Sequence, residues 1–273
     1  MTGFIAPMLA QRFTTWDRLP KGAVFSQPKF NGVRCIATRA GLFSRTGHPY
    51  TACDHVRDGL ARVFSEAPGL ALDGELYSHG MDLNEILSLV QQQRDWDGRC
   101  SDLIRFHAYD VPSVEGAFSD RFTALDAVRG TPAVEVAPTA PIADFGALNS
   151  AYASYLADGY EGQIVRIDGG YQPGKRSSLL LKRKAFQDAE FPLVGVHEAT
   201  GEWAGHAKSA TFRLPDGRTF GASVAGPSSF VSDLLGTWRR YGSATVRFLG
   251  LNADGIPVPA VAVAFHLGNA RRL

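Results

Sequence analysis

The sequence predicts an α+β protein of two domains: antiparallel sheets with flanking helices, then a small β-barrel. Three observations carry that reading. The chain has 273 residues, 45% hydrophobic and 20% charged, which is enough to bury a core in each of two domains. Strand-like runs alternate with amphipathic helical runs through the first two thirds of the chain. From Phe191 the texture changes to short strands separated by turns, Pro215-Asp216-Gly217 and Ala253-Asp254-Gly255 among them, as in small barrels. We place the boundary near Asp188–Pro192, giving domains of 1–188 and 189–273.

Residues 23–45 read as strand, with Ala23, Val24 and Phe25 before Lys29 and Val33, Cys35 and Ile36 after it. A helix is predicted over Asp54–Phe64, where Val56, Leu60 and Val63 share a face and Asp54 can cap. Leu70–Tyr77 reads as a strand. Asp82 followed three residues later by Glu85 has the form of a capping box. Leu83, Ile86, Leu87 and Val90 give the stripe of the helix behind it, which the polar tract from Gln91 to Arg99 ends. Leu103–Val111 is a strand. Helices at Ser119–Val128 and Ala147–Ala157, the second stopped by Gly159, flank a Pro-rich connection from Pro132 to Pro141. Strands follow at Gln163–Ile167 and Ser178–Lys182, and one helix, about Ser228–Tyr241, interrupts the barrel strands.

Composition excludes several classes. No run of about 18 apolar residues is present, so no transmembrane helix is expected. Met1 to Ala10 lacks the basic-then-apolar order of a secretory signal. Cys35, Cys53 and Cys100 are odd in number and far apart, forming neither a disulfide framework nor a CxxC metal pair, which suits a reducing cytoplasm. Charge is balanced, with 20 basic against 20 acidic residues up to Lys184 and 8 against 7 beyond, so any nucleic-acid footprint must be local. The seven histidines lack metal-ligand spacing, no serine elbow is present, and His107 reads as structural.

The chemistry gathers around Gln27-Pro28-Lys29-Phe30-Asn31-Gly32-Val33-Arg34. Pro28 biases Gln27 towards extended backbone, and Gly32 allows a tight turn close to a ligand. Alone, Lys29 reads as an edge-strand lysine that keeps a sheet soluble. Its company along the chain changes the reading. Asp73-Gly74-Glu75 puts two carboxylates on one face of a strand, and Glu161-Gly162-Gln163-Ile164-Val165-Arg166 repeats the design. Such carboxylates suit a hard divalent cation and a ribose. Leu179 to Lys184 ends an apolar strand in three cations, with Lys182 and Lys184 on one face. Such a pair reads either as solvated gatekeepers of a strand end or as a phosphate clamp that would lower the pKa of a nearby lysine. Gly169 to Lys175 fits GxxxxGK. Arg176 stands where Ser or Thr would meet magnesium, however, and strand rather than helix follows, so this is a Gly-rich basic turn.

Taken together, these stretches resemble the ATP-dependent DNA ligases, within the covalent nucleotidyltransferases that also hold RNA ligases and capping enzymes. Lys29 to Arg34 resembles the KxDGxR box, Ser44-Arg45-Thr46-Gly47 the SRxG element, and Leu72 to Tyr77 the LDGEL box. Tyr109-Asp110 falls where an aromatic residue stacks on adenine. Glu161 to Arg166 is similar to EGxVxR, with Ile before the Val, and Leu180 to Lys184 to LLKxK. The resemblance implies an ATP-grasp-like nucleotidyltransferase domain followed by an OB-fold barrel. It also implies ATP and Mg²⁺ (or Mn²⁺) as cofactors, nicked duplex DNA as partner, no membrane, and a cytoplasmic monomer of phage or bacterial origin.

By the same resemblance, Lys29, Lys182, Lys184 and Arg45 form the catalytic set, with a neutral Lys29 becoming adenylated. Gln27, Arg34, Glu75 and Tyr109 join Lys29, Lys182 and Lys184 around the nucleotide, Glu75 and Arg34 at the ribose and Tyr109 on the base. Glu161 and Glu75 hold the metal. Contact with DNA should come from phosphate-directed cations, for which Arg45, Arg176, Arg239 and Arg240 are the candidates. The alternatives are an RNA ligase, a capping-type nucleotidyltransferase and a non-catalytic nick-binding protein. Two departures stand out: Asn31 replaces the usual Asp of the lysine box, and Phe265 occupies the place of a C-terminal arginine, with Arg271 and Arg272 the nearest cations after it.

Overall fold

The computed structural model describes residues 4–184, 186–248, 250–252 and 254–268, so Arg271 and Arg272 lie outside the described residues. The chain divides into two compact units, Met1–Lys184 and Ala185–Leu273. The first unit begins with β1 (Leu9–Arg12), β2 (Val24–Lys29), β3 (Val33–Thr38), β4 (Gly41–Phe43), α1 (Asp54–Glu66), β5 (Ala71–Tyr77), α2 (Leu83–Val90) and α3 (Arg99–Leu103). It continues with β6 (Arg105–Asp110), α4 (Phe118–Thr123), β7 (Val134–Val136), β8 (Ala140–Ile142), α5 (Phe145–Ala157), β9 (Gly162–Ile167) and β10 (Arg176–Lys184).

These strands make two five-stranded sheets. The first has the order β1-β10-β9-β2-β8 and the second β4-β3-β5-β6-β7. The text over 23–45 is therefore three strands, and the chain passes from the first sheet to the second between Lys29 and Val33. Gly32 makes that crossing possible, because a Cβ there would stand 2.5 Å from the carbonyl oxygen of Leu76. The second sheet packs Cys35, Leu72, Leu76 and Phe106 against Val56 and Leu60 of α1 and Ile86 and Val90 of α2. The first sheet packs Val24, Val165, Ile167 and Leu181 around Leu148 of α5.

Local rules hold where one interaction decides them. Asp82 caps α2 by accepting from Asn84 N, and Glu85 completes the box. Asp54 does not cap α1: Cys53 takes that position without a side-chain bond, and Asp54 sits in the first turn, paired with Arg57. The helix expected at Ser119–Val128 is α4 continued by a 3-10 turn over Ala124–Val128. The Pro-rich connection hides β7 and β8, and Pro141 is tolerated because β8 is an edge strand that needs no donor there. Two of the three cysteines, distant in sequence, meet in the core, with Sγ of Cys53 3.5 Å from Sγ of Cys100.

The second unit holds β11 (Gln187–Glu198), β12 (Ala207–Arg213), β13 (Thr219–Val224), α6 (Ser228–Thr237), β14 (Tyr241–Phe248), β15 (Gly250–Leu251), β16 (Pro257–Val258) and β17 (Val261–Leu267). β11-β12-β13-β17-β14 close into a barrel of OB-fold type, filled by Phe212, Phe220, Val246 and Phe248. Asp188 already pairs with Arg247 in the barrel ladder. Phe265 is a packing residue here, with Phe230 and Tyr241 each 5.7 Å away between ring centroids. Among the described residues, no helix is long and apolar enough to cross a membrane.

Candidate functional site

A cavity of about 220 Å³ in the first unit takes its lining from both sheets. Lys29, Arg166 and Lys182 come from the first sheet; Arg34, Glu75 and Tyr109 come from the second. One rung of the first sheet organises the lysine end. Gly162 is the register partner of Lys29 on β2 and of Lys184 on β10, so Glu161 stands beside both strands. Its carboxylate accepts from Lys29 Nζ through one oxygen and pairs with Lys184 Nζ through the other. Gly162 has φ +156°, and a Cβ there would collide with the carbonyl oxygen of Arg183, so the position demands glycine.

Lys182 lies two residues before Lys184 and faces the cavity. Partial burial, then the neighbouring Lys184 and Lys29, hold its ammonium below the usual lysine range. Lys182 and Lys184 are the cationic neighbours expected beside Lys29. Strand register gives Lys29 a carboxylate as its closest charged partner, shared with Lys184. Three lysines thus face one carboxylate, leaving surplus positive charge at this end.

The second wall is paired within itself. Arg34 stands across from Glu75 in the ladder, yet its guanidinium grips Asp73, with Nε 2.6 Å from Oδ1 and Nη2 2.5 Å from Oδ2. Asp73, fully buried, also accepts from the Tyr171 hydroxyl at 2.6 Å. Arg34 therefore lines the cavity, as Glu75 does, with its fork already engaged by Asp73. Glu75 accepts from the Tyr109 hydroxyl at 3.2 Å. Burial pushes its carboxyl up to about 7, against the pull of Arg34 and Lys29. The Tyr109 ring has the guanidinium of Arg34 at 5.1 Å and that of Arg166 at 5.3 Å.

Other expected residues divide. Gln27 lines the cavity, but its side chain is 2% exposed. That side chain donates to Thr139 Oγ1 at 2.8 Å and accepts from Arg166 Nε at 2.6 Å, so it braces the wall. Arg45 and Arg176 are exposed and line the cavity, and Arg176 Nη1 donates to Ala10 O at 2.6 Å. Arg239 and Arg240 belong to the second unit, on an exposed 3-10 turn after α6, with Arg239 over the Trp238 ring at 4.7 Å. His107 packs against Phe30 at 4.8 Å between ring centroids, and burial holds its pKa below the usual value, as for a structural histidine. Among the described residues, no group of three or more His, Cys, Asp or Glu could hold a metal.

Residues 7–184 match the family of the ATP-dependent DNA ligase domain, well over half of the chain. The chain belongs to the ATP-dependent DNA ligase family. It is 26% identical over 193 residues to a DNA ligase of Haemophilus influenzae, covering 69% of this chain and 68% of that protein. It is 29% identical over 224 residues to a DNA ligase of African swine fever virus, covering 71% of this chain and 50% of that one. The chain thus spans about half the length of the viral relatives. The fold is similar to that of a Lig E DNA ligase, with a TM-score of 0.72 and 20% identity over 96% of this chain and 99% of that one. It is similar also to the Chlorella virus DNA ligase-adenylate, with a TM-score of 0.54 and 18% identity over 98% and 100%.

Within this ligase domain, several cavity residues lay outside the sequence reading. Leu9 and Ala10 line the cavity from β1, a strand too short and unpatterned to find by periodicity. Arg121, Asp110 and Tyr171 form the buried bracing, and nothing in their local sequence separates them from surface residues.

Proposed function

We propose that this chain uses ATP to seal nicks between a 3′-OH and a 5′-phosphate in duplex DNA, by way of a covalent lysyl-AMP. The observation that supports this best is one cavity with a lysine beside a carboxylate at one end and a buried tyrosine beside a half-buried carboxyl at the other. Lys29 Nζ attacks the α-phosphorus of ATP and pyrophosphate leaves. Glu161, hydrogen-bonded to Nζ, is in reach of the proton that Lys29 must lose. Lys182 and Lys184 stabilise the charge that builds on the phosphoryl oxygens. AMP then passes to the 5′-phosphate of the nick, and the 3′-OH displaces it.

Tyr109 supplies the face of the base site and Glu75 a carboxyl for ribose hydroxyls. The single half-buried carboxylate of Glu161 at the lysine end fits a Mg²⁺ ion that takes most of its ligands from phosphate and water. When bound, that ion would neutralise phosphate charge. Arg45, Arg176, Arg239 and Arg240 meet the DNA backbone, a sequence-independent contact suited to sealing any nick. The enzyme works as a monomer in the cytoplasm. The test is incubation with ATP and Mg²⁺, then mass measurement for AMP on Lys29, with nicked DNA, a nicked RNA–DNA hybrid and GTP offered in parallel. AMP on Lys29 and sealing of nicked DNA are expected; label only from GTP, or none, would refute the reading.

A further inference from the structure

We infer that Tyr171 and Arg121, neither of which lines the cavity, are positioning residues that set the spacing of its two walls. The inference rests on the nucleotide reading of the cavity given above. The two sheets are cross-tied beside the cavity by two polar clusters, the first buried and the second half-buried. In one, Arg166 of the first sheet donates from Nη1 to Asp110 Oδ2 of the second at 2.6 Å, and from Nε to Gln27 on the lysine strand. Arg121 donates to the other oxygen of Asp110 at 2.7 Å. All four side chains are at most 2% exposed.

In the other cluster, the Tyr171 hydroxyl donates to Asp73 on β5 at 2.6 Å and accepts from Met8 N at 2.9 Å. Arg34 Nη2 reaches Met8 O at 3.1 Å. Met8 leads directly into β1, so one hydroxyl joins the edge of the lysine sheet to the Asp73–Arg34 pair of the other.

The clusters converge on the turn at 168–174 that imitates a phosphate loop in the sequence. Arg121 Nη1 donates to Gly169 O at 2.9 Å, and its guanidinium lies 5.5 Å from the Tyr171 ring. That turn joins β9 to β10, the strands that carry Arg166 and the clamp lysines. The turn therefore anchors both cross-ties, which accounts for a motif that the phosphate-loop chemistry leaves unused. Between the ties sits Tyr109, flanked by one guanidinium from each. A buried polar network with every member paired holds one geometry, and loosening one member relaxes the rest.

The experiment measures single-turnover formation of enzyme–AMP against ATP concentration for Tyr171→Phe, Arg121→Lys and Tyr109→Ala. Loosening one member of a cross-tie should raise the KM for ATP about five- to tenfold in Tyr171→Phe and Arg121→Lys, with the limiting rate within about twofold. Discrimination of ATP over GTP should fall in parallel. If both variants melt earlier but keep the wild-type KM and discrimination while Tyr109→Ala raises KM, the positioning role is refuted and the nucleotide reading stands. If Tyr109→Ala also leaves KM unchanged, the nucleotide reading itself fails and takes this inference with it. Should Arg121→Lys not fold, Tyr171→Phe, which deletes a single oxygen, decides alone.

Discussion

The two walls of the cavity are built on opposite electrostatic plans. At the lysine end, Lys29 and Lys184 share Glu161 with Lys182 beside them, and the paired side chains there keep between 18% and 26% exposure. At the other end, Asp73 and Asp110 are fully buried and each is gripped by arginine. The first wall carries unspent positive charge near water, an environment suited to a polyphosphate. The second has spent its charges on itself, where breaking a buried pair costs several kcal/mol, ~3–5 for a removed partner. The difference teaches that the first wall is shaped for chemistry and the second for precision, and each can be perturbed separately.

The largest expected effect is on the first wall. Lys29→Arg keeps the charge but cannot lose its proton, so the AMP adduct should vanish in mass spectra while binding of nicked DNA persists. Adduct on the variant would remove Lys29 from its role. Glu161→Ala should slow adenylation, transfer to DNA and nick closure each by about 10²-fold or more, since the anchor of two lysines is lost. Comparing the three steps in separate single-turnover assays checks this; a defect confined to one step would contradict the shared-rung geometry.

The second wall should answer to pH rather than to turnover. The carboxyl of Glu75 rises from an ordinary value of 4.5 to about 7 on folding, so the folded protein holds a proton there that the unfolded chain has released between those values. Its contribution to stability is complete below pH 4.5 and is lost as pH climbs through 7. Glu75→Gln should therefore flatten the fall in melting temperature across that window, a difference of roughly 1–3 kcal/mol. An identical pH profile in the variant would show that burial does not hold the proton. The smallest effect concerns DNA. Replacing Arg45, Arg176, Arg239 and Arg240 together should reduce the salt slope of nick binding by about one unit per lost phosphate contact. An unchanged slope would place the contacts elsewhere.

Much of this was legible in the sequence because chemistry and register are written locally. Lys29, Glu161, Lys182 and Lys184 each sit in a short run whose strand alternation predicts the facing side. What strand text cannot show is pairing across sheets. Glu161 was read as a metal ligand, and its double ion pair emerges only when Gly162 is matched to both neighbours. Asp73 and Glu75 share a strand face, and nothing local says which of the two Arg34 grips. Asp110, Arg121 and Tyr171 are invisible to strand text because a charged or hydroxyl residue is usually solvated, and the burial of the first two and the bonding of the third are tertiary facts. The barrel showed itself in turn spacing, whereas β7 and β8 did not, since proline suppresses the strand signal at an edge.

The rung at Gly162 has a consequence for how such a protein can fail. Lys29, Glu161 and Lys184 lie along one line across three adjacent strands, so their alignment depends on strand registry. Slippage of β9 by a single residue would turn Glu161 to the opposite face and disarm all three groups together. The ladder would survive such an error almost unchanged, leaving a chain with native-like circular dichroism and no chemistry.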